Sequence, residues 1–321
     1  MKINMRKEDL RAGDVVLFPP HKGDFIAQAI AFLTDGEVNH AALCYPKEKN
    51  LVVAESILKD GLVLNSFAEH IESEYPLRIC RMRGDADMFP VLEAAKKYLE
   101  EVNAYPNFNL GLLGILLLFK KMAPPSWKNA VVYNFYKFVA GRLMNLVREH
   151  KYKGKHPMSC SQFVAQCFTD AGERYDLKFN RLVADFEVGI TRSVDDVENV
   201  SPLDLLKQTE TFPEIDMNTF SSKYWDDAEM ATLTSEFIDI AAGRHIMSRA
   251  VGEEVSTQKF NQATASIALA LYELHTGEPA ANLEKALNYL ASSTARNYFV
   301  SPQDLLVNCK ESLEYIGRLS Y

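Results

Sequence analysis

The strongest constraint on the fold is a change of periodicity along the chain. Up to residue 82 the apolar residues mostly arrive in short β-rich runs bounded by turn formers; from residue 89 onward they arrive mostly at helical spacing. Val15-Val16-Leu17-Phe18 follows Gly13-Asp14 and stops at Pro19-Pro20, so it reads as a strand. Residues 39–45 and 51–56 predict two more strands, separated by the turn-like Pro46-Lys47-Glu48-Lys49-Asn50, and residues 61–64 and 77–82 predict a fourth and a fifth. Helical spacing appears within this region only at residues 25–33, which end at Asp35-Gly36, and then at 89–102. A chain of 321 residues, 47% of them apolar, can bury a large core around such elements.

The clearest helix covers residues 159–171. Ser159 is its N-cap, Phe163, Val164, Cys167, Phe168 and Ala171 form its apolar stripe, and Gly172 stops it. Residues 106–157 suspend the strand–helix rhythm and read as a helical insertion. After about residue 210 the strand signals fade, and helical periodicity runs through 226–249, 258–276, 280–293 and 302–319. The expected architecture is therefore α+β, with strands and helices within residues 1–210, followed by an all-helical domain over 211–321. Val200-Ser-Pro-Leu-Asp-Leu-Leu206 and Val300-Ser-Pro-Gln-Asp-Leu-Leu306 match closely. Ser as N-cap, Pro at N1 and Asp in the first turn explain both as helix starts, without a duplicated domain.

Charge is segregated. The net charge of −8 combines a stretch from Lys120 to Lys155, with nine Lys or Arg against the single acid Glu149, and a stretch from Val183 to Ile240 with 14 acids against three bases. The overall acidity argues against nucleic-acid binding, while the basic stretch leaves room for a local anionic partner. Just before it, Leu110 to Phe119 reads LGLLGILLLF, half the roughly 20 residues that span a bilayer. From Leu110 to Lys155 two readings stand: a core helix followed by a solvated basic helix facing the acidic segment, or an interfacial element binding an anionic membrane surface. The five cysteines form no CxxC pair and the N-terminal residues contain no apolar h-region, so a reducing, cytoplasmic setting is expected.

A nucleophilic cysteine needs a lowered pKa, a base beside it and a group that orients the base. Cys160 lies in the first turn of its helix, where free N–H groups and the dipole favour a thiolate. Cys167 sits two turns on in the apolar stripe and reads as core. His40 stands in Val38-Asn39-His40-Ala41-Ala42-Leu43, and Glu55 stands in the neighbouring Val52-Val53-Ala54-Glu55-Ser56. With residues 45–50 as the hairpin loop, Cys44 faces Leu51 and His40 faces Glu55 on one side of the sheet; a slip of one residue separates them.

The ordered set Gly13-Asp14-Val15-Val16-Leu17-Phe18, Asn39-His40-Ala41-Ala42-Leu43, Val53-Ala54-Glu55-Ser56, Tyr105 with Asn107, and Ser159-Cys160-Ser161-Gln162-Phe163-Val164 resembles circularly permuted NlpC-type cysteine hydrolases. The nearest branch in character is the YiiX/YebB-like group, related to lecithin:retinol acyltransferase, in which the His strand precedes the Cys helix. The resemblance spans residues 8–206. It implies a permuted papain-like core with an antiparallel sheet packed on the nucleophile helix 159–171, Cys160 as nucleophile, His40 as general base, Glu55 as the residue orienting the imidazole, and Tyr105 as a donor to the oxyanion or substrate.

No phosphate-binding glycine loop or dinucleotide fingerprint is present, so no cofactor is expected; His150, His156 and Cys160 match no familiar metal-site spacing. Two functional classes remain. One is a thiol hydrolase or acyltransferase that works through an acyl-cysteine on a peptide-like or lipid amide or ester. The other is a catalytically idle binding or scaffolding module on the same fold.

Overall fold

The structure is a computed structural model that describes residues 4–20, 24–57, 61–70, 76–100, 109–120, 128–150, 158–180, 182, 201–208, 227–242, 255–290, 292 and 299–319. It is a mixed α+β protein. Seven strands form one sheet: β1 (Asn4–Met5), β2 (Val15–Phe18), β3 (His40–Lys47), β4 (Asn50–Ile57), β5 (Gly61–Asn65), β6 (Leu77–Met82) and β7 (Leu313–Leu319), in the order β1-β7-β6-β2-β3-β4-β5. Only the β1–β7 pairing is parallel. Ten α-helices are present among the described residues: α1 (Phe25–Leu33), α2 (Phe89–Glu100), α3 (Asn109–Phe119), α4 (Ala130–His150), α5 (Cys160–Asp170), α6 (Pro202–Gln208), α7 (Asp227–Ala241), α8 (Thr257–Thr276), α9 (Leu283–Leu290) and α10 (Pro302–Val307).

The strand alternation buries both faces of the sheet. Val15, Leu17, Ala41, Leu43 and Ala54 pack against Phe163, Val164 and Phe168 of α5 and Val91 and Ala95 of α2. The intervening residues Val16, Phe18, Ala42, Cys44 and Val53 pack with Met5, Phe67, Ile79 and Leu319 on the other side. The buried Asp14 beside β2 is held by a two-pronged ion pair, with Arg81 Nε and Nη2 each 2.7 Å from one of its carboxylate oxygens.

The structure corrects three sequence expectations. First, the β3–β4 hairpin is tighter than expected. Both strands run on until Lys47 faces Asn50, leaving only Glu48 and Lys49 in the turn, with Glu48 at φ 54°. Cys44 therefore faces Val53 and Ala42 faces Glu55, a register two residues from the expected one. A two-residue shift keeps every side chain on its face, so His40 and Glu55 remain diagonal neighbours on one side of the sheet.

Second, the span 302–319 is not one helix. Pro302–Val307 is helical, but Leu313–Leu319 is a strand inserted between β1 and β6. The chain after residue 210 is thus not all helical, and its last strand completes the sheet that the first 82 residues begin. Third, the basic stretch does not begin in solvent. Lys120 is buried, with Nζ 3.4 Å from the Leu33 carbonyl and 5.5 Å from the centre of the Phe32 ring.

The apolar run ahead of it is enclosed by the protein itself: every residue from 110 to 118 is buried. α3 packs on α1, α4 and α8, and α4 packs on α7 and α8. One apolar cluster therefore joins Leu113 and Leu116 of α3, Phe135 and Tyr136 of α4, Phe237 of α7 and Phe260 and Leu271 of α8. Phe135 and Phe237 stack with ring centres 4.2 Å apart. Among the described residues no helix is long and apolar enough to cross a membrane. Lys121, Lys151, Lys153 and Lys155, and most of the acidic stretch, lie outside the described residues.

Candidate active site

The element that presents Cys160 is built as its local sequence dictates. Ser159 caps α5 by accepting a hydrogen bond from the Gln162 N–H at 3.1 Å, and the Gln162 side chain accepts one from the Ser159 N–H at 3.4 Å. The same reciprocal cap starts α10, where Ser301 and Asp304 bond each other's backbone N–H groups; Ser201 caps the Asp204 N–H of α6 in like manner. These are helix starts, as expected for the repeated string. Ser56 Oγ donates to the Met158 carbonyl at 3.2 Å, and Ser161 Oγ donates to the Val300 carbonyl at 2.5 Å. The first turn of α5 is thereby tied to β4 on one side and to the segment entering α10 on the other.

His40 opens β3 and meets both proposed partners. Its Nε2 is 2.6 Å from Glu55 Oε2, and the ring is also hydrogen-bonded to the Cys160 side chain. Cys160 is fully buried and Glu55 is 1% exposed, while the His40 side chain keeps 16% of its surface in solvent. Burial opposes a charge on the His40 ring. The adjacent Cys160 sulfur, both as a charge and as a hydrogen-bond partner, and Glu55 behind it outweigh that penalty and raise the ring to about 10. Glu55 is also buried, which favours its neutral form, yet its contacts with His40 and His70 hold it well below the usual carboxylate range. The His40 ring at the end of the sheet is thus held between a sulfur and a carboxylate.

Burial pushes Cys44, Cys80 and Cys309 up to about 12, and burial puts Cys167 well above its ordinary value. Cys167 lies in the apolar cluster between α5 and the sheet, as its place in the helical stripe predicts.

Two residues of the site have no counterpart among the sequence candidates. Asn65, the last residue of β5, donates from Nδ2 to Glu55 Oε1 at 2.8 Å. His70 Nε2 lies 2.7 Å from the same oxygen. That approach is close but not aligned as a linear hydrogen bond. His70 ends a short 3-10 turn, Phe67–Glu69, which Ser66 and Glu69 cap reciprocally. The Ser-x-x-Glu spacing is a readable signal for that turn. Phe18, facing His40 across β2 and β3, has its ring centre 5.0 Å from those of both histidines. Tyr105 lies outside the described residues. His150 and His156 contribute no described side chain, and among the described residues no group of three or more His, Cys, Asp or Glu is arranged to hold a metal ion.

No family model matches the chain, and no curated protein matches it. Among solved structures the chain is similar to the metalloprotein YiiX from Escherichia coli O157:H7, at 12% identity and a TM-score of 0.30. The match covers 50% of this chain and 66% of that one, just under two thirds of its length. The likeness is distant.

Proposed function

We propose that the protein is a thiol enzyme of permuted papain-like design, with Cys160 as nucleophile, His40 as acid and base, and Glu55 as the residue that orients His40. The observation that carries this reading is the position of His40: one partly exposed imidazole hydrogen-bonded at once to a cysteine in the first turn of a helix and to a buried carboxylate. Glu55 engages Nε2, which leaves Nδ1 for the sulfur. The chain order, His strand before Cys helix, is that of the permuted hydrolases.

The chemistry follows from a thiolate beside an imidazolium. The thiolate adds to a carbonyl carbon, and the helix N-terminus favours the negative charge that collects there. His40 gives its proton to the departing amine or alcohol, leaving an acyl group on Cys160 and a neutral imidazole. The neutral ring then takes a proton from water, or from an acceptor amine or alcohol, as that group attacks the thioester. Collapse releases the acid or transferred product and restores the ion pair. Substrates are amides or esters of the peptide-like or lipid class.

Incubation of the full chain with a panel of lipid and peptide acyl donors, followed by intact mass and peptide mapping, tests the proposal. A donor-specific acyl adduct on Cys160, absent from Cys160→Ala with unchanged circular dichroism, is the expected result. Adducts spread over several cysteines, or none with any donor, would leave the fold as a binding or scaffolding module.

A further inference from the structure

Glu55 is held from two sides. Oε2 faces His40, while Oε1 meets two groups: Asn65 Nδ2 at 2.8 Å and His70 Nε2 at 2.7 Å. A carboxylate with both oxygens engaged cannot turn about its last side-chain bond without breaking a contact. We propose that His70 is a positioning residue that, together with Asn65, clamps Oε1 so that Oε2 stays presented to His40. This inference rests on the reading of Cys160 and His40 as a reactive pair.

The surroundings favour a built clamp over an incidental contact. The turn that carries His70 is anchored by the fully buried Phe67, is capped at both ends of its Ser66–Glu69 box, and closes with the His70 N–H donating to the Phe67 carbonyl at 3.1 Å. Asn65 lies on β5, whose register places it opposite Val53, two residues from Glu55 on the same face. Phe18 stands beside both imidazoles, tilted 57° to one and 70° to the other. Among the described residues, the titratable groups facing this carboxylate are His40 of β3 and His70 of the turn, and the one facing His40 from the helix is Cys160; Asn65 and Phe18 are uncharged.

His70 touches neither the sulfur nor a substrate, so its effect passes through Glu55 to the His40 ring. The readout is the pH profile of Cys160 alkylation by iodoacetamide, resolved by peptide mass on the full chain. In an ion pair this profile shows a plateau, then a second inflection where the imidazolium gives up its proton. His70→Phe keeps an aromatic ring beside Phe18 but removes the Nε2 contact with Oε1; it should move the second inflection down by about half a pH unit or more, because the freed carboxylate holds His40 less well. His70→Gln, whose amide nitrogen reaches the place of Nε2, should restore the wild-type profile. Asn65→Ala, which removes the other hold on Oε1, should shift it in the same direction and keeps the test open if His70→Phe does not fold. A merely structural role would lower thermal stability and leave the inflection in place. Wild-type protein without a plateau overturns the reactive pair and the clamp together. A wild-type plateau with unshifted His70→Phe and Asn65→Ala profiles overturns the clamp alone.

Discussion

Glu55→Gln is the most informative single substitution in the site. Glu55 offers two acceptor oxygens to the Nε2 of His40 at 2.6 Å and the Nδ2 of Asn65 at 2.8 Å, with His70 Nε2 also 2.7 Å from Oε1. A glutamine keeps the size but offers one oxygen and one NH2 group, so either orientation sets a donor against a donor. If the oxygen faces His40, the NH2 meets Asn65; if it turns, the NH2 meets His40 itself. One charge-assisted hydrogen bond is lost, worth about 1.5–3 kcal/mol. Glu55 favours the charged form of His40, so its loss lowers the pH at which the ring gives up its proton. At 1.36 kcal/mol per pH unit, that loss corresponds to a fall of about 1–2 units. The upper inflection of the Cys160 alkylation profile should therefore drop from about 10 to roughly 8–9. Thermal unfolding of the same variant should show a loss of about 1–3 kcal/mol, since a buried polar group is left unsatisfied. An inflection that stays in place in a folded Glu55→Gln variant would refute the claim that this carboxylate sustains the imidazolium.

Other predictions concern the scaffold. Arg81→Met leaves the buried Asp14 with the Arg11 N–H at 2.8 Å but without its two-pronged guanidinium, and should cost about 3 kcal/mol in denaturant unfolding; a cost under about 1 kcal/mol would contradict the assigned pairing. Phe237→Ala removes a fully buried ring stacked on Phe135 and should cost about 3–5 kcal/mol. Because that stack joins helices from either side of residue 210, the loss should appear in one cooperative transition; a separate early transition confined to the later helices would contradict the shared core.

How much of this was legible in the sequence depends on whether local signals decided each element. β2, α1 and β6 carry their own punctuation, and their bounds follow it residue for residue. α5 is equally local, since Ser159, Gln162 and Gly172 write both of its ends. The β3–β4 pair was legible as a hairpin but not in its register. Pro46 invites a wide loop, yet it sits within β3 opposite Leu51, and Glu48 adopts a left-handed conformation that no glycine announces.

β7 was illegible for a different reason. Leu305, Cys309, Leu313 and Ile316 recur at helical spacing, and only pairing with β6 and β1, more than 230 residues earlier, makes the segment a strand. Cys160, His40 and Glu55 stood out because each sits at a position whose surroundings demand an explanation. His70 did not, since its partner lies 15 residues away in sequence and a single polar contact has no period. The apolar run at 110–119 was legible as buried material, and the partner helices α1, α4 and α8 enclose it.

The central claim is a reactive ion pair between Cys160 and His40, and site-resolved alkylation of all five cysteines across pH measures it most directly. Cys160 should react at least about a hundredfold faster than Cys44, Cys80, Cys167 and Cys309 at neutral pH, hold a plateau until His40 deprotonates near 10, and lose that plateau in His40→Ala. A Cys160 rate that rises only at alkaline pH, in step with Cys309 and indifferent to His40, would contradict the account.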